Sequence, residues 1–450
     1  VLRVRESALQ AARGAMSAGP EKIGPALATF LVAGNMIGSG IFLLPATLAN
    51  IGGISLLGWA TATVAALVIA LGFARLAARD PKAGGPCAYA QAAFGRHVGF
   101  QAYLFYVIIC WVGNLGVAIA AIGYLGALLP GIDAGWHGVA ASVLLIALLT
   151  ALNLYGPRRA CQFDALTIIC GLLPVLLVAT FGWLRFDAAL FHQSWNPGHL
   201  AIGTALPRSL LLVFWAFLGL ESASIAAAVV ERPKRNVALA TVSGVLLAAL
   251  VYIAASAAIF GLVPVSVLRH SNAPFADATR VLLGTAAAGL VALAALIKTA
   301  GTLSGWILLA AQTGQAAAAQ GFLPRRLMQQ DARGVPVLAL LVSSSFTCLV
   351  AIVTKSTTLS QQFVRLVDLS VLLSLTVYAV ALAALFKRST VAGDKLETFY
   401  RSCTLLGILF CAYVIGSTPA YMLWMLAALV LVIMTVYAAA MRSAPRAISG

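Results

Sequence analysis

Twelve apolar runs of helix length follow one another along the chain, with only short polar stretches between them. Each run is close to the ~20 residues that a helix needs to cross a bilayer. The 450 residues are 62% hydrophobic and only 9% charged, which is too little charge to cover a soluble protein of this length. The chain is therefore predicted to be an all-α polytopic membrane protein. The twelve predicted transmembrane helices are 23–49, 54–78, 100–129, 138–155, 164–186, 206–230, 237–263, 282–312, 336–354, 363–386, 398–418 and 420–441.

Basic residues outnumber acidic residues by 29 to 13, which gives a net charge of +16. If the N-terminus lies inside, 22 of the 29 fall in the tails and inner loops, and six fall on the outer side. Because positively charged loops stay in the cytoplasm, both termini are expected there. The same asymmetry explains the basic balance without nucleic acid as a partner. The polar first 22 residues lack the apolar core of a signal peptide, and the missing initial Met indicates a truncated or misassigned start.

The seven cysteines form no CxxC pair, and no histidine stands near them at the spacing of a metal site. Most lie in apolar runs, where a free cysteine packs as a small hydrophobic residue. The five histidines are scattered through loops and span edges. The sequence therefore predicts neither a metal site nor a cofactor.

Three acidic residues fall inside predicted spans, Asp164, Glu221 and Asp368, and Lys298 in span 8 is the one basic residue that is assigned to neither side of the membrane. A charged side chain at the centre of a spanning helix costs about 2.5–3.5 kcal/mol on insertion scales. Such residues usually face a cavity or one another, so these four are candidate functional residues.

Two spans carry interruptions at matching positions in the two halves of the chain. Span 1 contains Gly-Ser-Gly at 38–40, and span 6 contains Gly-Leu-Glu-Ser at 219–222. Paired interruptions of this kind predict an inverted-repeat transporter with a binding site at the bilayer midplane. The predicted organisation is a cytoplasmic tail (1–22), a first repeat of five spans (23–186), a second repeat (206–386), two additional spans (398–441) and a C-terminal tail (442–450).

A broken helix in lipid is tolerated where its freed backbone groups face protein, water or a ligand. Glycine permits the unwinding, and the amides that start the second half-helix suit a carboxylate. The carbonyls that end the first half-helix suit an ammonium group. One break can therefore hold both ends of an α-amino acid, although a single Gly-Ser-Gly would also fit close helix packing.

Aromatic and polar side chains near the breaks permit two interpretations. Trp215, Trp306, Tyr106 and Trp111 could cover a substrate, where an aromatic face attracts a cation, or could fill the core. Asn114 could bind a substrate side chain or hydrogen-bond a neighbouring helix.

Several motifs together resemble the basic amino acid/polyamine antiporters of the APC superfamily, over nearly the whole chain. They are "GNMIGSGIFLLPATLANIGG", "DPKAGGPCAYAQAAFG", "CWVGN", "FWAFLGLESASIAAAVVERPKRNVALAT" and "APFADA". The resemblance implies a LeuT-like 5+5 inverted repeat with broken helices 1 and 6, and a transporter rather than an enzyme. It also implies a bacterial inner-membrane location, the lipid bilayer as surroundings, and a homodimer through the last two spans.

The same resemblance implies a role for individual residues. The substrate carboxylate would meet Ser39 and the amides of Gly38 and Gly40. Trp215 would stack over the substrate side chain as the middle gate, and Glu221 would titrate as the proton-coupled group. The α-amino group would meet carbonyls near Met36, Trp215 and Leu218. The distal cationic group would be surrounded by Ile109, Cys110, Asn114, Trp306 and Ser370. The outer gating set would be Tyr106, Glu221 and Tyr378.

Two departures from the family pattern stand out. Cys87 stands where acid-resistance members can have Tyr, so a role at extreme acidity is not expected. Lys298 lies one turn before Thr302, on the helix face expected to approach span 1. Three interpretations stay open: a gating or proton-coupling charge paired with Asp164 or Asp368, a structural ion pair, or a residue that disfavours dicationic substrates.

The predicted function is exchange of an external amino acid, arginine or another basic one, for an internal agmatine-like amine. Such an exchanger would work by alternating access and would need a partner decarboxylase. The alternative is a proton-coupled amino-acid uptake permease, possibly for neutral amino acids, with Lys298 or Glu221 as the proton carrier. The pocket around Ile109, Val117 and Ser370 is expected to decide the substrate. A channel or a membrane enzyme has the least support, because no catalytic constellation is found.

Overall fold

The computed structural model describes residues 24–38, 40–79, 85–221, 230–356, 358–388 and 395–443. These residues form a bundle of α-helices with short 3₁₀ turns at Gly182–Arg185, Trp215–Phe217 and Arg325–Met328. The α-helices are α1 (Pro25–Met36), α2 (Gly40–Leu48), α3 (Ser55–Arg79), α4 (Pro86–Phe94), α5 (Arg96–Leu128), α6 (Gly135–Leu154), α7 (Pro157–Phe181), α8 (Ala188–Ser194), α9 (Ile202–Phe214), α10 (Pro233–Leu262), α11 (Val265–Leu268), α12 (Pro274–Leu283), α13 (Thr285–Ala319), α14 (Val337–Val353), α15 (Leu359–Arg388), α16 (Lys395–Gly416) and α17 (Ala420–Ser443).

Nine helices within the described ranges are long and apolar enough to cross a bilayer: α3, α5, α6, α7, α10, α13, α15, α16 and α17. Three shorter apolar segments, at 25–34, 202–217 and 337–353, overlap the predicted spans 1, 6 and 9. The prediction of an all-helical, multi-pass membrane protein is therefore confirmed. The count of twelve spans and the inverted repeat stay predictions.

Side-chain contacts gather one set of helix ends on a single face of the bundle. Arg75 and Arg79, at the end of α3, pair with Glu397 of α16 at 2.8 and 2.7 Å. Lys387, at the end of α15, donates a 2.9 Å hydrogen bond to the carbonyl of Ala93, just before α5. We call this the basic face, and the sequence predicts that it is cytoplasmic.

The other helix ends meet at the opposite face. Arg269, between α11 and α12, donates to the carbonyl of Ala49 after α2 (3.2 Å). Asn272 donates to the carboxylate of Asp133, which lies between α5 and α6 (2.8 Å). Successive long helices therefore run in alternating directions between two faces, as the predicted membrane topology requires.

The two longest helices occupy the centre of the bundle and position the candidate site. Helices α5 and α13, of 33 and 35 residues, pack along one another, and α13 also packs along α7. Most of α5 is buried between Gly99 and Tyr124. A buried spanning helix of this kind can present side chains to an internal cavity instead of to lipid.

The last helix, α17, is exposed along much of its length, whereas α5 is buried. On α17 the apolar side chains Tyr421, Trp424 and Leu431 are 67%, 75% and 68% exposed. Exposed apolar surface of this extent needs lipid or another protein around it.

Candidate functional site

The first span is interrupted where the sequence predicts it. Helix α1 ends at Met36, and Ile37 leaves the helical conformation with ψ 62°. The N–H of Gly38 donates to the carbonyl of Met36 at 2.7 Å, and α2 begins at Gly40. Ser39, the predicted carboxylate contact, lies outside the described residues. The break leaves backbone groups of two half-helices available for other partners.

The sixth span is interrupted as well. Helix α9 ends at Phe214 and tightens into the 3₁₀ turn, after which Leu218 is extended. Gly219 follows with φ of +102°, a conformation that glycine adopts without strain. Residues 222–229 lie outside the described residues, and α10 begins at Pro233. Both interruptions predicted from the sequence are therefore present in the backbone.

The two breaks contact each other through Trp215. A Cβ built on Gly40 would lie 3.0 Å from Cδ1 of Trp215 and 3.1 Å from Cα of Ala216. On the far side of the indole, Cβ atoms built on Gly113 and Gly116 of α5 would lie 3.3 and 3.5 Å from the ring. The indole is thus held between three glycines, and a side chain at Gly40 would force it to move.

A cavity opens beside this contact, with about 410 Å³ of empty space including its mouth. The space that the centre of a water molecule can reach inside it is only about 30 Å³, so the cavity is narrow in this structure. Among the described residues, none of the lining side chains is charged, so a charged ligand would meet backbone dipoles and polar groups. The lining residues are Met36, Gly38, Gly40, Ile109, Gly113, Val117, Trp215, Leu218, Thr302 and Trp306.

Seven of these ten lining residues are substrate contacts that the sequence analysis proposes. Val117 was predicted to belong to the pocket that decides the substrate, whereas Thr302 and Gly113 were not predicted as substrate contacts. The sequence does contain an indication for Gly113: it lies three residues before Gly116, which puts both glycines on one face of α5. Cys110 and Ser370 are buried and do not line the cavity, and neither does Asn114.

Three buried polar side chains close to the site have atoms without a hydrogen-bond partner among the described residues. They are Oδ1 of Asn114 (α5), Oγ1 of Thr302 (α13) and Oγ of Ser370 (α15). The amide nitrogen of Asn114 has a long contact of 3.5 Å to the carbonyl of Trp306. Because a buried polar atom without a partner costs free energy, these atoms are candidates for contacts with a ligand or water.

Glu221 lies at the break of span 6 and is 3% exposed. Its Oε1 accepts a hydrogen bond from the hydroxyl of Tyr106 (3.0 Å). Its Oε2 accepts from the hydroxyl of Tyr378 (2.6 Å) and from the N–H of Gly219 (3.1 Å). The carboxylate therefore joins α5, α15 and the broken span in one buried polar cluster.

The position of this cluster corrects one expectation. Tyr106 comes seven residues before Gly113 on α5, about 10 Å nearer the basic face, where α5 begins. Tyr378 lies in the half of α15 that ends at the basic face. The cluster of Tyr106, Glu221 and Tyr378 therefore lies between Trp215 and the face predicted to be cytoplasmic, and it cannot be an outer gating set in that orientation.

Lys298 has Asp164 as its partner, at 3.6 Å between Nζ and Oδ1. The lysine side chain is 3% exposed and the aspartate side chain is 27% exposed. Within the described ranges, Asp368 is in no ion pair, so the structure selects Asp164 from the two predicted partners. Lys298 itself does not line the cavity, whereas Thr302, one turn later on α13, does.

Comparison with known proteins identifies the family. The model of the amino acid permease family matches residues 23–446. The cadaverine/lysine antiporter of Escherichia coli K12 is 36% identical over 397 residues, which cover 87% of this chain and 88% of the relative. Putrescine transporters PotE of Haemophilus influenzae and E. coli K12 are 33% and 34% identical, covering 85% and 81% of this chain and 89% and 83% of the relatives. The chain therefore belongs to the amino acid permease family of the APC superfamily, among relatives that transport amino acids and polyamines.

Proposed function

We propose that this protein exchanges an external basic amino acid for an internal amine by alternating access. The observation that carries the proposal is the cavity between two broken spans, with Trp215 packed against Gly40 at its wall. A site of this kind can be uncovered to either side by movement of the half-helices. The relatives that carry lysine, cadaverine or putrescine support the substrate class.

In the proposed binding mode the substrate carboxylate lies at the amides of the first break, at residues 38–40, where a half-helix starts. The α-amino group lies at the carbonyls of Met36, Trp215 and Leu218, where half-helices end. Opposite ends of helix dipoles then face opposite charges of one zwitterion, as helix termini favour. The α-amino acid is held by backbone alone, without a charged side chain in the cavity.

The substrate side chain then extends past Ile109 and Trp306 toward the buried polar atoms of Asn114 and Ser370, with Cys110 behind them. Trp215 covers it as the middle gate, and its ring face favours a cationic side chain. The "CWVGN" motif favours arginine with agmatine, and the names of the relatives favour lysine with cadaverine. We propose the basic amino acid class and leave these as the two pairs to be tested.

Glu221 is proposed as the gating and proton-coupling group. It is a buried carboxylate held by two tyrosine hydroxyls from different helices, so its protonation would break or rearrange contacts on one side of the cavity. A buried carboxylate that can take up a proton also favours a second candidate function, proton-coupled amino-acid uptake. In that case the chain would transport amino acid without needing an amine on the other side.

The proposed setting is the bacterial inner membrane, with both termini in the cytoplasm and the basic face inward. A homodimer is proposed through α16 and α17, whose apolar side chains are the most exposed of the long helices. Functional pairing with an amino-acid decarboxylase would supply the internal amine.

The deciding experiment uses the purified protein in proteoliposomes. Uptake of radiolabelled arginine or lysine is measured into vesicles that contain agmatine, cadaverine, the amino acid itself or buffer alone. An exchanger takes up label only into loaded vesicles, whereas a proton-coupled permease takes it up into empty vesicles under an inward proton gradient. Uptake of neutral amino acids only, with no competition from basic ones, would contradict the basic-substrate proposal.

A further inference from the structure

The interface between α7 and α13 is a close antiparallel contact made of small residues. A Cβ on Gly305 would lie 3.3 Å from Oδ2 of Asp164, a Cβ on Gly301 would collide with Thr167, and a Cβ on Gly171 would collide with Lys298. Because side chains are absent at these three glycines, the helices approach closely enough to enclose a charged pair. The three levels of contact are Asp164 with Gly305, Thr167 with Gly301, and Gly171 with Lys298.

These levels fix where the ammonium group of Lys298 lies. The Asp164 carboxylate lies beside Gly305, which follows Lys298 by seven residues, about 10 Å along α13. Since the ammonium is 3.6 Å from that carboxylate, the lysine side chain must extend along the helix toward Gly305. Residues 298, 302 and 305 share one face of α13, so the ammonium lies along the face that also carries Thr302.

Thr302 lies between Lys298 and Gly305 on this face of α13. It lines the cavity, it is 6% exposed, and its Oγ1 has no hydrogen-bond partner among the described residues. Helix α7, which carries Asp164, contributes no lining residue. The positive member of the pair is therefore on the helix that forms the cavity wall, and the negative member lies one helix further away.

We propose that Lys298 determines charge selectivity: its buried ammonium biases the cavity toward substrates with a carboxylate and against diamines. In the low-dielectric interior of a protein, the field of a charge extends beyond the residues that contact it. The ammonium of Lys298 would therefore attract the carboxylate of an amino acid in the cavity and repel an additional cation there. Asp164 offsets part of this field because its carboxylate is 3.6 Å from the ammonium, but it is on α7, which does not line the cavity. The inference rests on the proposed function and orders its two substrates: the cavity binds the amino acid more tightly than the decarboxylated amine for which it is exchanged.

Lys298 and Asp164 could instead form an ion pair that only stabilises the fold. Substitutions that remove one charge at a time distinguish this role from charge selectivity. Lys298→Gln leaves the negative member alone, whereas Asp164→Asn leaves the positive member alone. Both loosen the α7–α13 interface, but they change the field in the cavity in opposite directions. The double variant removes both charges and tests the remaining packing.

The test is competition by cadaverine and by unlabelled lysine against uptake of labelled lysine into lysine-loaded proteoliposomes. The measured quantity is the ratio of the two half-inhibitory concentrations. We expect Lys298→Gln to shift the ratio in favour of cadaverine on the order of five-fold, and Asp164→Asn to shift it against cadaverine. The double variant should fall between wild type and Lys298→Gln.

Matched controls keep the result interpretable. Glu397→Gln breaks an ion pair at the basic face, far from the cavity, and should lower stability without changing the ratio. Asp164→Glu keeps both charges and should keep the wild-type preference. Shifts in the same direction for Lys298→Gln and Asp164→Asn, or no shift in active variants, would overturn the charge-selectivity proposal alone. A wild-type protein that takes up no basic amino acid would overturn the proposed function and this inference with it.

Discussion

The hydroxyl of Tyr378 lies 2.6 Å from Oε2 of Glu221, the shortest of the three hydrogen bonds described for this carboxylate at the broken sixth span. Tyr378 is on α15 and Glu221 lies after the 3₁₀ turn that ends at Phe217, so the bond joins a continuous helix to the interrupted span. Hydrogen bonds to a charged acceptor are stronger than neutral ones. The bond therefore connects the interrupted sixth span, which would move in the proposed transport cycle, to α15.

Tyr378→Phe is expected to slow exchange more than it weakens binding. The substitution removes one charge-assisted hydrogen bond, worth about 1.5–3 kcal/mol, and leaves the cavity lining unchanged. Glu221→Gln should slow exchange by at least about ten-fold for the same reason. Rates and half-saturation constants from proteoliposome exchange separate the two effects.

Tyr252→Phe is the matched control for this prediction. Its hydroxyl also donates to the broken sixth span, to the carbonyl of Ala216 at 3.3 Å, but it has no contact with Glu221. Exchange should stay near the wild-type rate in this variant. Equal slowing by Tyr252→Phe and Tyr378→Phe would mean that general loosening of the break, not the carboxylate contact, controls the rate.

The main architecture could be predicted from the sequence because hydrophobic length and glycine-containing breaks are local signals. The interruption between Met36 and Gly40 and the one after Phe217 lie where the sequence predicts them. Local signals cannot specify which helices meet, so the choice of Asp164 over Asp368 as partner of Lys298 needed the structure. The role of Gly113 beside Trp215 depends on the same long-range packing.

The resemblance to a family predicted most cavity residues but misplaced others. Cys110 is next to Ile109 on α5, yet only Ile109 lines the cavity, because neighbouring helical residues point about 100° apart. The resemblance also implied an outer position for Tyr106, which is not compatible with the predicted cytoplasmic position of the basic face. The outer position followed from a motif, whereas the direction of α5 places Tyr106 on the basic-face side of Trp215.

Gly40→Ala is expected to weaken substrate binding by about ten-fold or more. The new methyl group would lie 3.0 Å from the Trp215 ring and 3.1 Å from backbone of Ala216, so the indole or the break must shift. Binding of basic amino acids, measured by ligand-induced thermal stabilisation of the purified protein, reports the loss.

Gly34→Ala tests whether any added methyl group in span 1 has this effect. A Cβ at Gly34 would have an ordinary 3.7 Å contact with Cδ1 of Ile168. The variant should bind substrate like the wild type. It should be slightly more stable, because alanine has a higher helix propensity than glycine. The prediction for Gly40 fails if both alanine variants bind equally well.

Glu397→Gln is expected to lower the free energy of unfolding by about 1–3 kcal/mol while transport per folded molecule stays unchanged. The carboxylate is 3% exposed and joins α16 to both Arg75 and Arg79, which are 25% and 29% exposed. Thermal unfolding in detergent measures the first effect, and exchange normalised to folded protein measures the second. Arg333→Gln, in an exposed pair with Asp331, is the control and should change stability little.

Acid should weaken the turn from Asp331 to Val335, which follows α13. The N–H of Val335 donates to Asp331, and this bond, aided by Arg333, holds the pKa of the Asp331 carboxyl below its ordinary value. A lowered pKa in the folded state means that the stabilisation is present above the ordinary pKa of about 3.9 and is lost as pH falls through the lowered value. The protection factor of the Val335 amide, which is the intrinsic exchange rate divided by the observed rate, should therefore stay high at pH 5 and fall only in stronger acid. Asp331→Ala should lower this protection factor at every pH, and an unchanged protection factor in that variant would contradict the assignment.

Thr302→Val should raise the stability of the substrate-free protein and lower its affinity for substrate. The hydroxyl is buried without a partner among the described residues, so its replacement by a methyl group removes an unpaired polar atom. If substrate or its bound water uses that hydroxyl, affinity should fall several-fold, as thermal-shift titration with lysine and arginine would measure. Thr299→Val is the control on the same helix, because the Thr299 hydroxyl already donates to the carbonyls of Ala295 and Leu296. A more stable Thr302→Val protein with unchanged affinity would show that this hydroxyl makes no contact with the ligand.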